Sequence, residues 1–376
     1  MNKKYLLAPG PVQVPSEVLL EMAKPIIHHR TEEFEHTIAR VQELLQELFQ
    51  TKGPVLTFAS SGTGAMEAAI VNLHSQKESV LVVRNGKFSE RLGAIAEAYG
   101  LDVQYIDIPY GDAVEPKAIQ ERLTADVNIK SVLIEYSETS TGTMNNIEEI
   151  SKIVKKTDAL LIVDAITALG VVSVPCEEWG IDAVIGGSQK SLMLPPGLSF
   201  LWCSKRAWAR SEKSNLPKFY FNIQEELKAL KKNTTAWTPA ISLINGLKVA
   251  LEMMQEYGWN NLYEKNRKLA LAVQAGIKAL GLEIFSRNSS ISVCAVQVPT
   301  GVDGVLLVKK MKDEYGVTIA GGQGELKGNI FRVGTLGYID RTDILVFFGT
   351  LEAVLKELGY LFQPGSGINA AQKVMY

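Results

Sequence analysis

Cysteine and histidine are scarce in this chain, with three and four residues respectively among 376. Cys176, Cys203 and Cys294 are too few and too scattered for a disulfide framework or a zinc site, so no structural metal is expected. Long apolar runs are also missing: none reaches the roughly 18 residues that span a bilayer, which excludes a transmembrane helix. Residues 1–9 hold two lysines but no extended apolar core, so no signal peptide is expected. Nor does charge of one sign dominate. Lys and Arg total 39 against 41 Asp and Glu, a net of −2, which argues against nucleic-acid or membrane-surface binding driven by bulk charge. Internal repeats and low-complexity tracts are absent. A reducing, cytoplasmic setting fits these absences.

What is present is an ordinary globular composition, 46% hydrophobic and 21% charged, on a chain long enough for two or three domains. Short, mostly apolar runs at 80–83, 103–108, 131–136, 160–164, 183–185 and 199–203 alternate with helical patterns at 89–99, 115–123 and 146–156. That alternation predicts an α/β fold with a mostly parallel sheet covered by helices. Long helices at 239–257 and 260–280 then lead to a different pattern. Strands at 291–298, 318–320 and 330–333, with helices at 302–315 and 342–358, read as a small α+β domain. The tail after Gly359 reads as a loosely held end. The division expected is an N-terminal arm, 1–20, lying with the small domain, a large domain at 21–258 and the small domain at 259–376.

Two strand ends carry the chemistry. The run Leu160-Leu161-Ile162-Val163 ends on Asp164, and Ala183-Val184-Ile185-Gly186-Gly187-Ser188-Gln189 leads into Lys190. An amine and a carboxylate delivered at one sheet edge suit pyridoxal 5'-phosphate (PLP). The amine can form a Schiff base with the cofactor aldehyde, and the carboxylate can keep the pyridine nitrogen protonated. Most lysines are solvated, but the small neighbours of Lys190 suit burial, which lowers an amine's pKa. Ser60-Ser61-Gly62-Thr63-Gly64 runs into a helix, where free amides and the helix dipole favour an anion; alone, it is equally a capped helix start. Glu138-Thr139-Ser140-Thr141-Gly142 gathers hydroxyls after a strand. In Ile330-Phe331-Arg332-Val333, the arginine offers a fork for a carboxylate, or else a solvated strand face.

In order and spacing, these segments resemble class V PLP-dependent aminotransferases of fold type I, particularly the alanine–glyoxylate and serine–pyruvate aminotransferases. The likeness runs from Ala8-Pro9-Gly10-Pro11 through Asn85-Gly86-Lys87-Phe88 and Pro195-Pro196-Gly197 to Phe331-Arg332-Val333-Gly334. The resemblance implies that Lys190 forms the Schiff base and shuttles the proton, and that Asp164 pairs with the ring nitrogen. It implies that Ser61, Gly62 and Thr63 bind the phosphate with help from Gln189. Phe88 would stack on one ring face and Ile166 pack on the other, with Thr139 near the ring hydroxyl. Arg332 would hold the substrate α-carboxylate, with Gly10 lining the substrate site. It further implies a homodimer with active sites at the subunit interface, in which the partner's threonine, either Thr235 or Thr238, touches the phosphate.

The expected reaction moves an amino group from alanine or serine to glyoxylate or pyruvate by ping-pong chemistry. Aspartate with 2-oxoglutarate is the alternative, which would need a second cation such as Arg30 or His29. A PLP-dependent lyase or cysteine desulfurase is a further rival and would need a reactive, loop-borne cysteine. A non-enzymatic binding protein on the same fold is the last.

Overall fold

A computed structural model describes residues 3–376, so the first two residues of the expected N-terminal arm lie outside the described residues. Its centre is a seven-stranded sheet in the order Val55–Phe58, Ser199–Cys203, Ala183–Gly187, Leu160–Asp164, Ile129–Glu135, Ser79–Arg84, Asp102–Asp107. Ser199–Cys203 runs against both its neighbours, and every other adjacent pair is parallel. The expected mostly parallel α/β sheet is therefore the one observed.

The inner strands read as continuous apolar runs because both faces are covered. Leu160–Asp164, Ala183–Gly187 and Ser199–Cys203 are buried at every position. One face packs on the amphipathic helices Glu32–Phe49 and Ile241–Tyr257, through residues such as Phe34, Leu45, Leu247 and Leu251. The other packs on Gly62–Leu73, through Met66, Ala69 and Ile70. Thr31 caps the first of these helices by accepting from the Phe34 N–H, with Glu32, Glu33 and Glu35 in its first turn, where acidic side chains favour the helix dipole.

A second core forms around the antiparallel strands Val293–Gln297, Ile330–Gly334 and Ala320–Gly321. The helix Trp259–Ala279 joins the two cores, giving Leu262 to the first and Leu269 and Val273 to the second. The N-terminal strand Tyr5–Leu6 pairs with Val317–Thr318, and Leu7 enters the second core, whereas Val18 enters the first.

Two expectations are corrected. The strand expected at 318–320 is two short strands on different partners: Val317–Thr318 pairs with the N-terminal strand, and Ala320–Gly321 with Ile330–Gly334. The tail is not loose, because residues Ser366–Met375 form a helix whose Ala371 and Met375 are buried in the second core. Ile368, Ala371 and Met375 lie three and four residues apart, which puts them on one helical face. The Gly365 and Gly367 N–H groups also donate to the Glu352 carboxylate, tying the start of this helix to Arg341–Glu357.

Candidate active site

In an open α/β sheet, ligands bind beyond the carboxyl ends of the parallel strands. Here that edge carries Ser61–Thr63 after Val55–Phe58, Phe88 after Ser79–Arg84, Thr139 beyond Ile129–Glu135, Asp164 on its own strand, and Gln189 and Lys190 after Ala183–Gly187. The fold thus delivers these residues to one place from five strands.

Lys190 is 8% exposed, and its Nζ donates to the Pro9 carbonyl at 2.6 Å. Burial pushes its pKa down to about 8, against the opposing charge of Asp164; Arg332 and Arg91 lower it further. Such an amine is neutral for part of the population near pH 8, which is what a nucleophile requires. Gly10 has φ +110° and lies directly against the lysine. A Cβ there would collide with Nζ, Cδ and Cε, so the close approach demands glycine.

Asp164 is 3% exposed and accepts from the Ile166 N–H at 2.8 Å. Burial pushes its pKa upward, opposed by that N–H, the facing Glu135 carboxyl and the charge of Lys190. The Ile166 side chain spans between Gly62 and Gly187; a Cβ on Gly62 would overlap its Cδ1. The anion cradle and the wall of the site therefore touch.

Ser61 is the N-cap of helix Gly62–Leu73, and its side chain makes no capping bond. The Gly64 N–H donates to the Ser61 carbonyl, which leaves the Gly62 and Thr63 amides open to an anion. Arg91, not foreseen from the sequence, donates from Nη1 to Thr63 Oγ1 at 3.2 Å, and its guanidinium lies 4.9 Å from the Phe88 ring centroid. Its position three residues after Phe88, on the same helical face, was the available signal. Gln189 presents a buried Oε1 with no partner.

Arg332 is buried. Nε and Nη2 donate to the Gly321 carbonyl at 3.0 and 2.8 Å, and Nη1 donates to the Thr139 carbonyl at 2.8 Å. Burial lowers its pKa to about 10, so it stays cationic, and N–H groups remain for a ligand. Thr139 Oγ1 donates to Thr167 Oγ1 at 3.3 Å.

Glu138 lies under this floor. It accepts from the Phe88 and Ser89 N–H groups and Ser89 Oγ on one oxygen, and from the Ser140 N–H and Oγ on the other, at 2.5–3.1 Å. A carboxylate at the helix start of Lys87–Ala98 locks Phe88 and Thr139 to one another. Its sequence neighbours were read as a hydroxyl cluster, and the clamp emerges only once the loop folds back onto that helix.

Thr235 and Thr238 share a shallow cleft with Phe58 and Ala59. Thr235 Oγ1 donates to the Trp237 carbonyl at 2.7 Å, and Thr238 is exposed. Neither has a hydrogen bond to Ser61 or Thr63 of its own chain.

Comparison with known proteins agrees with this geometry. A sequence model of the family Aminotransferase class-V matches residues 4–328. The chain is 43% identical over 379 residues to the "Soluble hydrogenase, small subunit" of Synechococcus sp. (strain PCC 6716), covering 100% of this chain and 99% of that one. It is 34% identical to the L-aspartate–glyoxylate aminotransferase of Paracoccus denitrificans, covering 99% and 96% of the two chains. The crystal structure of ureidoglycine-glyoxylate aminotransferase from Bacillus subtilis superposes with a TM-score of 0.95 at 30% identity, covering 100% and 98%.

The chain belongs to the class V aminotransferases, enzymes of PLP fold type I. The edge fits PLP: a buried amine for the aldehyde, a buried carboxyl, and an uncapped helix start with Arg91 beside it for the phosphate. The desulfurase alternative lacks its cysteine. All three thiols are buried and pushed upward in pKa by that burial.

Proposed function

We propose that the enzyme transfers an amino group from a small monocarboxylic L-amino acid, alanine or serine, to glyoxylate or pyruvate. Bound PLP supplies an aldehyde that holds the amino group and a ring that accepts electrons from the substrate α-carbon. Lys190 is the group that joins the aldehyde and, once displaced, carries the proton between the substrate α-carbon and the cofactor. Its depressed pKa supports both tasks, since a base near neutrality accepts and returns a proton readily. Asp164 keeps the ring nitrogen protonated. Ser61, Gly62 and Thr63, with Gln189 and Arg91, bind the phosphate. Phe88 and Ile166 sandwich the ring, with Thr139 at its hydroxyl. Arg332 orients the substrate α-carboxylate, and Gly10 leaves room beside the lysine.

The observation that carries the substrate reading is the single buried arginine. Arg332 and Arg91 are the cations that most lower the Lys190 pKa, and Arg91 is committed to Thr63 and Phe88. A dicarboxylate specialist needs another cation for the second carboxylate. Arg30 is exposed on a turn where its N–H donates to His28 Nδ1, and His29 is half-buried beside it. Aspartate as donor is the second reading, favoured by the name of the Paracoccus relative. Both glyoxylate enzymes among the compared proteins support glyoxylate as acceptor.

The test is a panel of alanine, serine and aspartate against glyoxylate, pyruvate and 2-oxoglutarate, run on the natural enzyme and on Arg332→Lys. Alanine or serine with glyoxylate is expected to give the highest kcat/KM; aspartate in first place would replace that reading. Lysine keeps the charge but not the fork, so KM should rise about 10–100-fold for every pair. An unchanged KM would remove Arg332 from the substrate site.

We further propose a cytoplasmic homodimer. The exposed aromatics Phe219 and Tyr220, stacked with Trp237 beside the Thr234–Thr238 segment, support a subunit face that carries Thr235 or Thr238 into the partner's phosphate site. The domain division proposed is the arm 1–20 with 259–376, against 21–258.

A further inference from the structure

Beside Asp164 lies a second carboxyl that the reaction outlined above does not use. Glu135 ends the neighbouring parallel strand, directly opposite Asp164 in the register. Facing residues on adjacent strands point to the same side of the sheet, so the two side chains meet at the carboxyl edge. Each residue is 3% exposed, so both carboxyl groups are shut into the sheet edge together. Glu135 Oε1 is buried with no hydrogen-bond partner.

Two facing carboxyls shut away from water cannot both be ionised, and a hydrogen bond between them requires one proton. The surroundings decide which residue holds it. Asp164 has the Ile166 N–H and the Lys190 amine to stabilise its charge. Glu135 faces the carboxylates of Asp164 and Glu138, no N–H donates to its Oε1, and the Arg91 charge in its favour is the smallest of these influences. Burial and these two carboxylates push Glu135 well above the usual range.

We propose that Glu135 is a positioning residue that holds the shared proton and donates its O–H to Asp164. The bond fixes the rotation of the Asp164 carboxyl and leaves its remaining lone pairs for the cofactor ring. It also draws negative charge from Asp164 toward Glu135, so that a proton between Asp164 and the ring nitrogen stays on the nitrogen. This deepens the assignment of Asp164 to the ring nitrogen, on which it rests.

Two variants separate proton donation from packing. Glu135→Gln keeps a donor of the same shape, and Glu135→Met keeps the bulk without the donor. In the cofactor-free full-length protein at pH 7, the infrared difference between wild type and either variant should show the C=O stretch of a protonated carboxyl. That band reads the proton before any PLP is present, so it stands or falls separately from the Asp164 assignment. In the holoenzyme, the PLP dissociation constant should stay within about threefold of wild type in E135Q and rise about tenfold in E135M, the scale typical of residues supporting a ligand from behind. The proposal is overturned if the protonated-carboxyl band is absent, if E135Q loses PLP as readily as E135M, or if E135M binds PLP as wild type does.

Discussion

Replacing Lys190 with alanine is expected to lower turnover at least about 10⁴-fold, the upper end of what one positioned acid–base group contributes. The amine lies at the sheet edge within the field of Asp164, and Nζ is anchored by the Pro9 carbonyl. No other lysine can take over from that position. PLP should still bind through the helix start at Ser61–Thr63 and the walls at Phe88 and Ile166. Small soluble amines should restore part of the rate, because the cavity left by the side chain admits them to the place where the proton is moved. Transamination at wild-type speed in Lys190→Ala would sink the assignment.

The same residue leaves a mark on stability. Its amine has a pKa near 8 in the folded protein against 10.5 ordinarily, so between these values the unfolded chain binds more protons. Stability of the cofactor-free protein therefore rises with pH from about 8 to about 10.5 and is lowest, through this group, below 8. The difference amounts to about 3 kcal/mol. Lys190→Met, which cannot ionise, should melt higher than wild type at pH 7, and the gap should close by about pH 10.5. Parallel melting curves without PLP at pH 7 and pH 10.5 measure this.

Lys190, Asp164 and Arg332 were legible in the sequence because each breaks a strong local pattern. Asp164 ends an apolar run, Lys190 follows one across glycines and a serine, and Arg332 interrupts one. Glu135 breaks its run in the same way, at the end of Ser131-Val132-Leu133-Ile134, yet nothing local marks it as part of a site. A terminal glutamate is ordinarily solvated, and what marks this one is its register with Asp164, a contact between strands 29 residues apart that no local pattern carries. Arg91 and the Glu138 clamp were hidden for the same reason: their partners lie across loops. The C-terminal helix was missed for a different reason. Pro364, Gly365 and Gly367 suggested a free end, although Gly365 at φ +81° marks where the helix begins and Ile368, Ala371 and Met375 carry its buried face. The core that receives them is built by Trp259–Ala279 and Arg341–Glu357, more distant in sequence than any window.

Asp164→Asn is expected to cost about 10²–10³-fold in kcat, the scale of removing one preorganised electrostatic partner from a charge that develops during reaction. Asparagine is isosteric and can still accept the Ile166 N–H through its amide oxygen, so the fold and the Ile166 wall should persist. What disappears is the negative charge proposed to hold a proton on the ring nitrogen, and with it the support for the ring's taking electrons from the substrate α-carbon. The loss should fall on kcat more than on KM, because Arg332, the proposed α-carboxylate site, is held by the Gly321 and Thr139 carbonyls and is untouched. It should also fall on the half-reaction with donor alone, seen as slower conversion of the bound cofactor's absorbance under single-turnover conditions. Unchanged conversion in Asp164→Asn would mean that the ring nitrogen needs no anionic partner in this enzyme. A rise confined to KM would place Asp164 in substrate binding instead. The charge itself is what the experiment isolates, since Glu135 on the next strand remains in both proteins and the shape of residue 164 scarcely changes.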